Sequence, residues 1–280
     1  MTKHEADEGG IAADDASAGT TPVAGPRRAP PEDPLVGFLL RLGDDRLVLG
    51  HQLSDLTGHG PIIEEDIATA NLALDLIGQA SSFLRLAGEL EAKGRDEDAL
   101  AYFRDGVRFR NCLLVEQPNG DFGDTMARQF LFDAYSVLLL DALASSSHVG
   151  VAAIAAKALK EDRYHVRHSS EWVVRLGDGT EESHRRVQAS LDRLWRFTGE
   201  LFEIDEMDAG LASRGIRVDH AALKSRWDQM VNEVLARATL TRPADGVMQR
   251  GGRLGRHTEH LGHLLATMQS VARAHPGAKW

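Results

Sequence analysis

Asp162-Arg163-Tyr164-His165 puts a carboxylate and an imidazole three residues apart within the helical run Lys157–Trp172. On a helix, residues at that spacing share a face and can close on one metal ion. A carboxylate-bridged di-iron site in a four-helix bundle needs two such pairs, plus one carboxylate from each of two further helices. The matching place on an earlier helix reads Leu76-Ile77-Gly78-Gln79. Leucine has no donor atom, and glutamine is a poor replacement for imidazole. The sequence has the plan of a di-iron protein with half of the ligand set missing.

The remaining polar residues on apolar stripes complete the candidate set. Asp133 sits in the stripe Met126, Phe130, Asp133, Val137, Leu140, and Asp162 in Ala155, Leu159, Asp162, Val166. A buried, unpaired carboxylate costs several kcal/mol or is neutralised by a shift of its pKa. These groups therefore require either a metal or hydrogen bonds from Arg, Lys or His. Read as a metal cluster, the set is Asp55, Asp133, Asp162 and His165, four candidates where six ligands are needed. That shortage favours a polar network over a metal centre. Glu161 and His168 read as helix-face or interface residues. His257, His260 and His263 invite a zinc reading, but each step of three falls about 60° short of a full turn, so they diverge. Structural or interface roles suit them better.

The elements that would position these residues are helical. Apolar periodicity predicts helices over 35–56, 62–93, 97–116, 125–145, 151–175, 180–200, 219–238 and 256–274, with no strand pattern. Asp33-Pro34 marks a helix start, Asp121 or Asp124 can cap the helix after Asn119-Gly120, and Thr180 or Asp178 starts another. On the second helix one stripe reads Ile63, Ile67, Ala70, Leu74, Ile77, Leu84, and another reads Leu72, Leu76, Gln79, Phe83, Leu86, Leu90. Apolar over so wide an arc, this helix is expected deep in a bundle. The first, second, fourth and fifth helices are long enough for a four-helix bundle, and the third would lie on its long crossover. The expectation is an all-α, ferritin-like four-helix bundle with additional helices. Residues 1–34, rich in Gly, Ala, Asp, Thr and Pro, read as a disordered tail. Residues 35–280 read as one helical domain with accessory helices over about 219–274.

Composition narrows the function classes. The 280 residues carry a formal net charge of −10, which argues against nucleic acid or an anionic membrane as a partner. No apolar run approaches the length of a membrane-spanning helix, and no secretory leader pattern appears. A cytoplasmic location is expected. The single cysteine, Cys112, lies in the apolar run Cys112-Leu113-Leu114-Val115 and reads as a small buried hydrophobe.

Ordered blocks of sequence then carry a resemblance. They include Gly50-His51-Gln52-Leu53-Ser54-Asp55, Glu64-Glu65-Asp66-Ile67-Ala68, Asp75-Leu76-Ile77-Gly78-Gln79, Pro118-Asn119-Gly120-Asp121-Phe122, Arg175-Leu176-Gly177-Asp178-Gly179 and His257-Thr258-Glu259-His260-Leu261-Gly262. Over roughly residues 35 to 280 the chain resembles the C subunits of bacterial ring-1,2-phenylacetyl-CoA epoxidases, multicomponent oxygenases of aerobic phenylacetate degradation. The resemblance implies a structural, non-catalytic subunit with no cofactor of its own. Its partner would be a catalytic A subunit that holds the di-iron centre. A reductase with flavin and an iron–sulfur cluster would supply electrons from NADPH. It also implies a degraded metal site: Asp55 and Asp133 take the two lone carboxylates, Leu76 and Gln79 replace Glu and His, and Asp162 with His165 keep the last pair. An oxygenase active in its own right is the alternative, and Leu76 and Gln79 speak against it. A free-standing CoA-thioester binder would need a basic patch, for which Arg41 and Arg46, Arg104 with Arg108 and Arg110, or Arg185 with Arg186 are candidates. His257, His260 and Trp280 place the last helix as an arm toward a partner.

Overall fold

In the computed structural model, residues 1 and 33–278 are described, and the tail expectation falls almost wholly outside them. Among the described residues the chain is all-α. Its helices are α1 (Pro34–Ser54), α2 (Ile63–Glu91), α3 (Glu97–Tyr102), α4 (Phe122–Ala144), α5 (Val149–Gly177), α6 (Glu181–Leu194), α7 (Glu206–Ser213), α8 (His220–Arg237), α9 (Glu259–Met268) and α10 (Ser270–Ala274). Helices α1, α2, α4 and α5 form the bundle, with α1 packed on α2, α4 on α5, and α2 on α5. This matches a ferritin-like plan. The caps expected from the sequence hold at three starts. Asp33 caps α1 ahead of Pro34, Asp121 and Asp124 make a capping box on α4, and Thr180 and Ser183 make one on α6.

α1 and α2 approach closely because α1 presents glycine twice on one face. A Cβ at Gly43 would lie 2.7 Å from the Leu84 side chain, and one at Gly50 would lie 2.9 Å from Ile77. Two turns of helix separate them, so both face α2. α4 is buried along nearly its whole length. α5 and α6 flank it, and α8 covers it with Trp227, whose indole donates to the Leu131 carbonyl at 3.1 Å.

Three expectations need correction. The predicted helix over 97–116 ends at Tyr102; beyond it the chain is irregular apart from a short turn at Gly106–Arg108. Buried carboxylates hold that stretch instead of a helical ladder. Asp44 receives the fork of Arg104 and the amide of Arg110, and Asp45 receives the amide of Cys112 at 2.7 Å. Glu200 receives the amide of Leu113, and Glu116 receives the Asn111 side chain. Second, the stripe Ile63, Ile67, Leu74 on α2 faces solvent, with exposures of 67%, 56% and 67%. Only Leu72, Leu76, Gln79 and Phe83 of the other stripe turn to the interior there.

Third, the C-terminal segment is no detached arm. Arg253 forks onto Asp45 of α1 at 2.9 and 2.8 Å, and Gly251 and Arg253 donate their amides to Glu200. Leu261 and Leu265 are buried, and the Gln269 amide reaches the carbonyls of Ala101 and Arg104. Burial pulls the Arg253 guanidinium down, but the Asp45 charge outweighs it and holds the group above even the usual arginine range. Trp280 lies outside the described residues. Removing one partner of a buried ion pair strands the other, at a cost of about 3–5 kcal/mol. Arg253→Ala should therefore lower the unfolding free energy by that amount in urea titration, and deletion of residues 253–280 should abolish the cooperative transition.

Candidate functional site: a polar line through the bundle

Four bundle helices contribute side chains to one polar line. From α1, Arg46 enters with 1% of its surface exposed. Its Nε donates to Gln79 Oε1 at 2.8 Å, one terminal nitrogen donates to Ser136 Oγ of α4 at 2.8 Å, and the other to the Leu42 carbonyl at 3.2 Å. The guanidinium carbon stands 5.1 Å above the Phe83 ring. Gln79 passes the polarity onward. Its amide nitrogen donates to Asp162 Oδ1 and to Glu161 Oε2 of α5, each at 2.9 Å. The charges on either side fix the orientation of this amide, with oxygen toward the cation and nitrogen toward the carboxylates.

Beyond Asp162 lies His165, fully buried. Its Nδ1 is 3.7 Å from Asp162 Oδ1 and makes no hydrogen bond, while its Nε2 meets Asp75 Oδ2 at 3.2 Å. Asp75 is partly exposed, so the line surfaces there. Asp133 of α4 completes the group, accepting from Gln129 at 2.7 Å and from Ser169 at 2.8 Å. Burial pushes the Asp133 carboxyl up from an ordinary 3.8 to about 7, against the pull of nearby His165. For His165, burial lowers the pKa, but the Asp75 hydrogen bond and the charges of Asp162 and Asp133 together raise it.

The structure thus gathers Gln79, Asp133, Asp162 and His165, with Leu76 buried beside them on α2. Asp55 is not among them. It is the exposed C-cap of α1, its amide bonded to the His51 carbonyl. Nine residues separate it from Arg46, about 13 Å along a helix. α1 therefore brings a cation to the centre where the sequence suggested a carboxylate. Glu161 enters the line as an acceptor, and His168 lies outside it, bonded to Glu65 at 2.8 Å. His257 precedes α9 and is held by Glu116 and the Phe109 carbonyl, and His263 is exposed. The three C-terminal histidines do not converge.

A di-iron pair would need anionic or imidazole donors from all four helices. Here Leu76 offers none, both ends of the Gln79 amide are engaged, Asp55 is at the surface, and Arg46 adds positive charge. These residues do not fit the group. Among the described residues, no cluster of three or more His, Cys, Asp or Glu is placed to hold a metal ion. Sequence reasoning missed Arg46, Asp75, Gln129, Ser136 and Ser169. The signal for Arg46 was available: Asp44-Asp45-Arg46 puts three charges in succession inside an apolar helix, and successive residues cannot share one solvent face.

A helical bundle of ferritin-like plan, with a hydrogen-bonded polar line in place of a ligand set, is the class defined by fold and interior. The chain belongs to the family described as phenylacetic acid catabolic protein, whose model matches residues 25–280. It is 49% identical over 246 residues to the C subunit of 1,2-phenylacetyl-CoA epoxidase from Escherichia coli (strain K12). That alignment covers 88% of this chain and 99% of the relative. Among the described residues, no helix is long and apolar enough to cross a membrane.

The interior titrates in a defined direction. Asp133 has a raised folded pKa, so the folded state binds more protons than the unfolded chain between about pH 4 and 7, and stability falls as pH rises through that window. His165, also raised, adds stability that is full below its unfolded value and is lost as pH rises through its folded one. Both slopes have the same sign. Asp133→Asn should therefore flatten the pH dependence, being a few kcal/mol less penalised than the parent at pH 8 and nearly equal at pH 4.5. Urea unfolding at both pH values checks this. Gln79→Leu removes the bridge between Arg46 and Asp162, stranding both, and should cost about 3 kcal/mol or more at either pH.

Proposed function

We propose that this chain is the structural, non-catalytic subunit of a phenylacetyl-CoA epoxidase, pairing with and stabilising a di-iron catalytic chain. The observation that carries the proposal is the polar line itself. Arg46 and Gln79 engage Asp162 internally, so this carboxylate has its partners without iron. The likeness to an epoxidase component along nearly all of that relative supports the same reading. The di-iron centre would then reside in the partner. Flavin, an iron–sulfur cluster and NADPH would belong to the reductase, and the pair would work in the cytoplasm on phenylacetyl-CoA.

Iron content and pairing decide the matter together. Purified alone from iron-rich medium, the chain should contain no stoichiometric iron and epoxidise nothing. Co-expressed with the catalytic subunit, it should co-elute as a complex, with iron accounted for by the partner. Two irons per chain in the isolated protein would sink the proposal, as would a catalytic subunit equally stable and active without this chain.

A further inference from the structure

We infer that the outer face of α2, from Ile63 to Gly78, is a docking seam for one helix of a non-identical partner subunit. The inference rests on the pairing proposed above and deepens it by naming the surface. The positions Ile63, Ile67, Ala70, Leu74, Ile77, Ser81 and Leu84 alternate by four and three, the spacing of a two-helix coiled-coil seam. Only the C-terminal end of that seam turns inward, where Leu84 is buried and Ile77 packs near Gly50 of α1. The N-terminal half is bare: Ile63, Ile67 and Leu74 are more than half exposed, and Ile62 just ahead of the helix is 52% exposed. Charged side chains on α2 flank these residues without covering them. Isolated surface apolar residues are ordinary, but a run kept in heptad register is a patch with a geometry.

Gly78 is an independent observation on the same face. It sits mid-helix, exposed, and a Cβ there would meet nothing within 4 Å. Apart from proline, glycine is the least favourable residue in a helix interior, and nothing in this chain's described residues requires it. A glycine in such a place lets another helix approach closely. The charge pattern selects the occupant. Between residues 63 and 84, α2 carries Glu64, Glu65, Asp66 and Asp75 and no Lys or Arg. Glu65 also meets His168 and Trp172, Asp66 the amides of Gly58 and Gly60, and Asp75 His165, and no Lys or Arg is among these partners. The next cation, Arg85, is already bound to Glu97. A second copy of this chain would bring a like-charged edge to the seam. A helix with an apolar seam and Lys or Arg on its flanks complements it. By the reading above, that helix belongs to the catalytic subunit.

The test uses the full chain and the catalytic subunit. The double variant Ile67→Glu, Leu74→Glu alters only exposed positions. It should keep its circular dichroism and weaken the complex at least about tenfold, since docking would bury unpaired carboxylates. Gly78→Gln should raise the thermal midpoint of the isolated chain by about 2 °C through helix propensity, while weakening the complex. A side chain that stabilises the chain yet loosens the pair is not explained by damage to the fold. Val271→Glu, on the exposed apolar residue of α10, should leave pairing unchanged. Hydrogen exchange across residues 63–78 should slow when the complex forms. If the wild-type pair forms but the α2 variants bind equally well, or exchange there is unchanged, the seam inference fails and the proposed function stands. Self-association that these variants abolish, with catalytic-subunit binding intact, would show a second copy as the occupant and overturn the inference. Absence of any wild-type pairing removes the proposed function, and the inference with it.

Discussion

Three consecutive charged residues, Asp44, Asp45 and Arg46, lie fully inside the protein in the middle of α1. Their successive 100° steps send each to a different quarter of the structure. Asp44 gathers Arg104 and the irregular stretch after α3, Asp45 gathers Arg253 and the C-terminal segment, and Arg46 crosses the bundle to α2 and α4. Because each acid is matched to a cation and to backbone amides, burial that would otherwise be prohibitive becomes a set of specific connections. The irregular segments are positioned by these carboxylates in the way that a ladder of backbone bonds positions a regular element.

The bundle interior follows the same logic with a different geometry. Arg46 reaches Asp162 through the Gln79 amide, whose dipole lies along the line between them. A neutral side chain thus joins opposite charges that the helix spacing keeps apart. His165 closes the far end, and Asp75 lets it communicate with solvent. Low local dielectric strengthens each of these bonds and makes every missing partner expensive. Hydrogen bonds run unbroken from Arg46 of α1 through Gln79 to Asp162 of α5, and the Nδ1 of His165 beyond them is left without one.

Much of this was legible in the sequence. The long helices, their caps and the all-α class follow from periodicity and from Asp33-Pro34, Asp121 and Thr180. Asp133, Asp162 and His165 were visible as polar residues on apolar stripes, and they are indeed buried together. What escaped was direction. Periodicity defines a stripe on α2 but does not say whether the protein's own core or some other surface covers it, so Ile67 and Leu74 read as interior. Asp55 failed because an acid near the end of α1 looks the same on paper whether the helix has one more turn or stops. The helix expected over 97–116 failed because backbone amides of that stretch are held by Asp44, Asp45 and Glu200, acids far away in sequence, and no local pattern encodes such partners.

The Gln79 amide also bears on how such an interior can change over generations. Leu76→Glu would bury a further carboxylate at a position only 1% exposed, at a desolvation cost. Gln79→His would cut the connection between Arg46 and Asp162, and replacing Arg46 would leave Gln79 and Ser136 facing a void. Each of these three changes, taken singly, is expected to give a less stable protein. Interactions that depend on one another in this way act as a ratchet. The same hydrogen bonds that join Arg46 to Asp162 make each of these single substitutions costly.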